Sequence, residues 1–331
     1  MVKLISRRST LASIVAATLC TLGAPSTFAQ QYPEKDRPIR MVVGFAAGGF
    51  TDVLARVIAQ RLQTSLGVPV VVDNKAGATG TIAADAVAKS RADGYTLLMG
   101  HFSSNSVAPA LFPKLPYDAV RDFTPIVHVA STPVLLVVHP SVPATDVKGF
   151  IDYARKNPNA LSFASSGNGT AQHLAAAQFM LATNTRMVHV PYKGSGAAMT
   201  DLLGGQVQLN FESPPNALPY IRAGKLRALG ITSLKRSALL PDVPTLDEAG
   251  LPKFEMSQWF AVYGPANLPP QVTARLNKEI NAILKSPDVV EKISSQGGEI
   301  TGGTTEEFAA FLKRDIAKWA DLVKSANIKA D

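Results

Sequence analysis

The stretch Ile39–Arg56, IRMVVGFAAGGFTDVLAR, constrains this chain most. A β-branched run ends at Gly44, a loop with Gly48 and Gly49 follows, and Thr51 and Asp52 open an amphipathic helix. Strand, glycine loop and helix start bring free backbone N–H groups and the positive end of a helix dipole onto one point, which suits a small anion. Gly44 to Thr51 approaches the nucleotide loop G-x-x-x-x-G-K-[ST], but Phe50 stands where the lysine belongs. Without that cation the loop fits a carboxylate better than a triphosphate, with an aromatic wall beside it.

Around this unit, short apolar runs alternate with helical patterns, the mark of α/β architecture. Strands are predicted at 39–43, 69–72, 95–99, 125–129, 134–138, 161–164, 187–190, 207–211 and 226–231. Helices are predicted between them at 52–66, 81–89, 147–157, 172–181, 196–203 and 217–223. After Thr232, prolines 241, 244 and 252 mark an irregular crossing. Helices then return at 271–285, 288–295 and 306–325. Two further strand-to-helix loops repeat the first motif: Leu161–Thr170, LSFASSGNGT, and Gly100–Asn105, GHFSSN. Ligands of open α/β sheets sit at the carboxyl ends of the strands, where all three loops fall. Each loop read alone is equally an ordinary turn before a capped helix.

The first residues address the chain. Lys3, Arg7 and Arg8 precede an apolar run from Leu11 to Leu22, too short for a ~20-residue membrane span. Thr27-Phe28-Ala29 then fits a cleavage site, so residues 1–29 are expected to be a signal peptide and the mature protein periplasmic. Ser6-Arg7-Arg8-Ser9-Thr10-Leu11 fits the twin-arginine route as well as the general one. The one cysteine, Cys20, leaves with the signal, which excludes disulfides and thiolate zinc from the mature chain. Of the formal charge of +8, three units also lie in this segment, and the remaining cations are scattered. That excludes a nucleic-acid face. With 46% hydrophobic and 18% charged residues, about 300 mature residues suffice for two modest cored domains.

The quoted glycine loop, DNKAGATGTIAADAVAKSRADGYTLLMG, SSGNGTAQHLAA, HVPYKGSGAAMTDLLGGQVQLNFES and LPYIRAGKLRALGITS together resemble the Bug family, the periplasmic solute receptors of tripartite tricarboxylate transporters. The similarity runs from about Tyr32 to the C-terminus. The resemblance implies a two-lobed flytrap, each lobe a mainly parallel sheet flanked by helices. Residues 30–131 and 252–331 would form lobe one, and 132–251 lobe two. It implies a small carboxylate held between the lobes by N–H groups, hydroxyls and waters, and delivered to cognate membrane transporter subunits by a monomer without cofactor or metal. Carried over, the contacts fall on Phe45, Ala47, Gly48, Gly49 and Asp52, then Ser103, Ser104 and Asn105. On the second lobe they fall on Ser165, Ser166, Gly169, Thr170 and His173, with Glu212 as a reader of the ligand's far end.

Departures from the family pattern carry their own expectations. Gly44 replaces a usual proline and should loosen the start of the loop. Phe50 should narrow the pocket, and Gln178 and Glu212 change its polar pattern. Phe45, Phe50 and Phe102 supply the aromatics near the first-lobe loops, while Glu212 would repel a second carboxylate. One carboxylate with a neutral, aromatic or ammonium-bearing remainder is therefore expected, with citrate-like ligands disfavoured. His101, His128, His139 and His189 read as structural or solvated, and Trp259 and Trp319 as packing residues. Tyr192 to Gly196, another strand-to-helix junction, reads equally as pocket wall or plain turn. Two other functions share these features: a sensor reporting a carboxylate to a signalling partner, and a serine hydrolase using Ser165 or Ser166 with His173. The second lacks the G-x-S-x-G elbow.

Overall fold

Two mixed β-sheets, each flanked by helices, divide the chain into lobes. The structure, a computed structural model, describes residues 32–192 and 194–329, and the unit that starts at Lys35 carries the fold. The export signal read over residues 1–29, and Lys193 of the Tyr192–Gly196 junction, lie outside the described residues.

The first sheet combines β1 (Ile39–Val43), β2 (Val70–Asn74), β3 (Thr96–His101), β4 (Phe123–Pro133), β10 (Ser257–Pro265) and β11 (Glu299–Ile300), in the order β11-β4-β10-β3-β1-β2. The second combines β5 (Leu135–Val138), β6 (Ser162–Ser165), β7 (Val188–Pro191), β8 (Leu209–Glu212) and β9 (Arg227–Ile231), in the order β7-β6-β8-β5-β9. The expectation of mainly parallel sheets is corrected here. β1 pairs parallel with β2 and β3, but β10 runs antiparallel to β3 and β4. β6 pairs parallel with β7 and β8, whereas β5 is antiparallel to β8 and β9. A parallel neighbour needs a crossover, usually through a helix, and strands that arrive from the other lobe come without one.

The helices that matter for the site begin just after strands. They are α1 (Phe50–Leu66), α2 (Thr81–Ala88), the short α3 (Ala108–Leu111), α4 (Val147–Lys156), α5 (Ala171–Thr183), α6 (Ser195–Leu203) and α7 (Pro214–Arg222). Then come α8 (Pro270–Leu284), α9 (Pro287–Ser294) and α10 (Thr305–Ser325). Helix α10 belongs to the first-sheet core. Its Trp319 and the β10 residue Trp259 donate their indole N–H groups to the two oxygens of the buried Asp315 carboxylate, at 3.0 and 2.6 Å. Both tryptophans are therefore packing residues whose polar edges share one acceptor, as buried indoles require.

The chain passes between the sheets at Val134 and again after Ile231. Thr232, fully buried, ties these passages together. Its backbone N–H donates to Val134 O (3.0 Å), its hydroxyl accepts from Val134 N–H (2.9 Å) and donates to Met256 O, and its carbonyl accepts from Met256 N–H (3.1 Å). One threonine thus satisfies the backbone of both crossings where neither sheet can.

Candidate ligand-binding cleft

The loop after β1 is built tightly rather than loosely. A side chain at Gly44 would put its Cβ 2.6 Å from Gly80 Cα, so glycine is required there for close approach. The expected loosening is not found. Gly48 turns the chain with φ +89°, a conformation that glycine alone adopts at little cost. That turn lets the Gly48 N–H donate to Asp52 Oδ2 (2.9 Å), which also accepts from Arg56 Nε (2.8 Å). Asp52 Oδ1 accepts from Asn74 Nδ2 (2.9 Å), which in turn donates to Phe45 O (3.0 Å). Burial opposes ionisation of Asp52, but the bonds from Arg56, Gly48 and Asn74 hold its carboxyl below the usual range. Asp52, 2% exposed, is therefore the internal fastening of the loop and not part of the cavity wall. Gly49 caps α1 without any side-chain bond to the first turn, so that turn's N–H groups stay open toward the cleft. Phe50 lies edge-on to Phe260, their centroids 5.0 Å apart, and both line the cavity. Ala47 points to solvent.

At the end of β3, His101 Nδ1 accepts the Ser103 N–H (3.1 Å), which leaves the proton on Nε2, 3.3 Å from Gln258 Oε1. Burial pushes the His101 pKa down to about 4, so the ring is neutral in ordinary conditions. It lies edge-on to Phe45 at 4.6 Å and within 5.1 Å of Phe260. His101, read from the sequence as structural or solvated, lines the cleft. Ser103 lines it too. Ser104 and Asn105 turn inward instead. Ser104 Oγ sits 3.0 Å from His101 O and 2.7 Å from Asn105 Oδ1, which also accepts the His101 N–H. These two residues shape the π-helical turn Ser103–Val107 and do not reach the cavity. Phe102 is also corrected: it is fully buried against Trp319.

On the second lobe the organising residue is Gln172, which sequence reasoning missed. Its Oε1 accepts from the Ser166 N–H (3.2 Å) and the Ser166 hydroxyl, while its Nε2 donates to Ser195 Oγ (3.1 Å) and Glu212 Oε2 (3.3 Å). One amide therefore joins the loops that lead into α5, α6 and α7. Glu212, 1% exposed, accepts at Oε1 from the Ser213 N–H (2.8 Å), the Ser213 hydroxyl (3.1 Å) and Asn216 Nδ2 (3.3 Å). Its Oε2 also accepts from Asn210 Nδ2 (3.0 Å). Burial pushes the Glu212 pKa up, and these bonds work against it. Since its partners all donate, the geometry is that of a carboxylate.

The other second-lobe expectations divide. Ser166 and Thr170 line the cleft, although the Thr170 hydroxyl donates to Gly167 O (2.7 Å) and does not cap α5. Ser165 is fully buried, its Oγ 2.6 Å from His189 Nε2. Gly169 turns with φ +72° and packs beside Leu111 and Val107. His173 faces away from the cleft because it follows Gln172 directly in α5 and is turned about 100° around the helix from it, onto the side of β7. It stacks on His189 at 3.9 Å, accepts the Gly169 N–H at Nδ1 (3.3 Å), and lines a separate cavity with Met180 and Ile328. Burial, and then the neighbouring His189, lower the His173 pKa to about 3.

The first-lobe residues Phe45, Gly48, Gly49 and Ser103 and the second-lobe residues Ser166, Thr170 and Glu212 thus meet around one cavity of about 380 Å³. Ala47, Asp52, Ser104, Asn105, Ser165, Gly169 and His173 do not line it. Thr132, Gln172, Gln258 and Phe260 do, and were not anticipated. No lysine or arginine among the described residues lines this cavity; its titratable groups are neutral His101 and Glu212. The starts of α1, α5 and α6 open onto it, each without a side-chain cap bond, whereas α7 begins Pro214-Pro215 and has no N–H to offer at its first two positions. Such a wall attracts a single small anion by N–H groups and dipoles rather than by side-chain cations.

A family model described as the tripartite tricarboxylate transporter family receptor matches residues 54–328. The protein BugT of Bordetella pertussis is 41% identical over 321 residues, covering 96% of this chain and 98% of that protein. Among solved structures, one described as a periplasmic transporter shares 42% identity with a TM-score of 0.79, covering 91% of this chain and 100% of that one. Rpa4515 of R. palustris, solved with adipate, shares 36% identity with a TM-score of 0.80 at the same coverage.

Proposed function

Because this chain belongs to the family of tripartite tricarboxylate transporter receptors, we propose that it captures a small carboxylate in the cleft and passes it to cognate membrane transporter subunits. It is a binding protein and not an enzyme, as its family and structural neighbours are. In this reading residues 1–29 export it, and the mature monomer works in the periplasm. Residues 30–131 and 252–331 form one lobe, and residues 132–251 the other.

The convergence of uncapped helix starts on a cavity with no lysine or arginine among the described residues supports this reading best. A carboxylate enters against the Gly49–Thr51 turn of the first lobe. Closure about the Val134 and Thr232 crossings then brings Ser166 and the start of α5 onto it and excludes water. Each charge-assisted N–H···O⁻ bond contributes ~1.5–3 kcal/mol, so a few of them reach micromolar capture at ~8 kcal/mol after ordering costs. Serine hydrolysis finds no support: Ser166 is bonded to Gln172, Ser165 is fully buried against His189 outside the cleft, and His173 lies in another cavity.

A thermal-shift screen of the purified protein against aliphatic, aromatic and amino-acid carboxylates tests the proposal. A ligand at a hundredfold excess over its Kd stabilises by ~2.7 kcal/mol. A screen in which no carboxylate raises the melting temperature would sink it.

A further inference from the structure

The cleft floor is a band of side chains across three neighbouring strands. Thr132 of β4 is the antiparallel register partner of Gln258 on β10, and Phe260 is the partner of His101 on β3. Because side chains alternate along a strand, Gln258 and Phe260 face the cleft while Trp259 faces the core. His101 has no unused nitrogen: Nδ1 accepts from Ser103 and Nε2 meets Gln258 Oε1. That contact leaves the NH2 as the remaining polar group of Gln258. Thr132 is only 3% exposed, lines the cavity, and its shielded hydroxyl has no hydrogen-bond partner in the protein. A buried hydroxyl in that state is unfavourable until a partner arrives.

Glu212 lines the same cavity from the second lobe, and its register partner Leu135 follows Thr132 by three residues across the passage between the sheets. Both of its oxygens already accept from neighbouring donors. It offers an ammonium no well-placed lone pair, yet it fixes a negative charge near the floor, where burial limits screening.

We propose that Thr132 and Gln258 form a distal subsite for a neutral oxygen group, a hydroxyl or carbonyl, at the far end of a monocarboxylate, and that Glu212 excludes a second carboxylate there. This rests on the carboxylate reading of the cleft. It replaces the ammonium-bearing alternative of the sequence reading.

The test is calorimetry on the purified protein with linear acids of four to six carbons that end in methyl, hydroxyl or carboxylate. The ω-hydroxy acids should bind at least fivefold tighter than their methyl counterparts. Thr132→Val should erase that preference, weakening hydroxy acids at least fivefold more than methyl-ended acids, and Thr132→Ser should keep it. Glu212→Gln should improve the diacid relative to the hydroxy acid at least tenfold. Equal binding of hydroxy and methyl acids by the unaltered protein, tighter binding of the diacid, or equal weakening of all acids by Thr132→Val overturns the subsite. None of these comparisons on the unaltered protein depends on a variant folding. If no acid binds a cooperatively melting protein, the carboxylate reading falls, and this inference with it.

Discussion

Gly48 and Gly49 are adjacent, yet they hold different parts of the cleft. The Gly48 N–H is committed to Asp52, whereas Gly49 opens the first turn of α1 to the ligand. A Cβ at Gly49 would meet only Ala46 O at 3.7 Å, and its φ of −74° and ψ of 164° suit a β-branched residue. Gly49→Val should therefore fold normally but lose at least tenfold in carboxylate affinity, ~1.4 kcal/mol, by calorimetry. Unchanged affinity in the folded variant would remove this turn from the site. The loop itself was legible because its chemistry is local: a strand, glycines and a helix start lie within one stretch. Asp52 was misplaced because its role depends on the positive φ of Gly48, which folds the N–H back onto it. His101 was missed for a different reason. Its partner Gln258 comes 157 residues later, and no local pattern joins them.

Among the elements, most helices and the short apolar strands were readable, the wholly buried β5 and β8 included, and β10 was not. It follows a proline-rich crossing that reads as irregular, and its partners β3 and β4 lie more than a hundred residues earlier in the chain. Gln258 and Phe260 were lost with it, and the sheet was expected to be mainly parallel. Helix α10 shows the opposite case. Its start carries a capping box in which the Thr304 hydroxyl accepts the Glu307 N–H (3.1 Å) and Glu307 accepts the Thr304 N–H (2.7 Å). Thr304→Ala should lower stability by ~0.5–2 kcal/mol in urea denaturation while ligand affinity stays unchanged, since the box lies outside the cleft. A loss of affinity at equal stability would contradict this separation.

At the scale of the whole molecule, buried imidazoles give an acid sensitivity that sets in above pH 4, before lowered carboxylates such as Asp52 titrate. Burial lowers His101 and His128 to about 4, and burial with His189 lowers His173 to about 3. An unfolded histidine titrates near 6.5, so between there and pH 4 the unfolded chain binds protons that the folded chain refuses. Stability from these groups is complete above that window and declines as pH falls through it, by up to ~1.4 kcal/mol per pH unit for each. Glu212 and Asp315, raised by burial, act in the opposite sense. The measurement is therefore a difference: melting of His128→Gln should depend less steeply on pH from 6.5 to 4 than melting of the unaltered protein. Parallel slopes would refute it. The order of the first sheet has one more consequence, in time rather than space. β10 lies between β3 and β4 but is made after the entire second sheet. Until Ser257 has been synthesised, two strand edges that must share a neighbour stand open, and local contacts cannot close the gap between them. The last quarter of the chain thus acts as a clock, deferring completion of the first lobe until nearly all of the polypeptide exists.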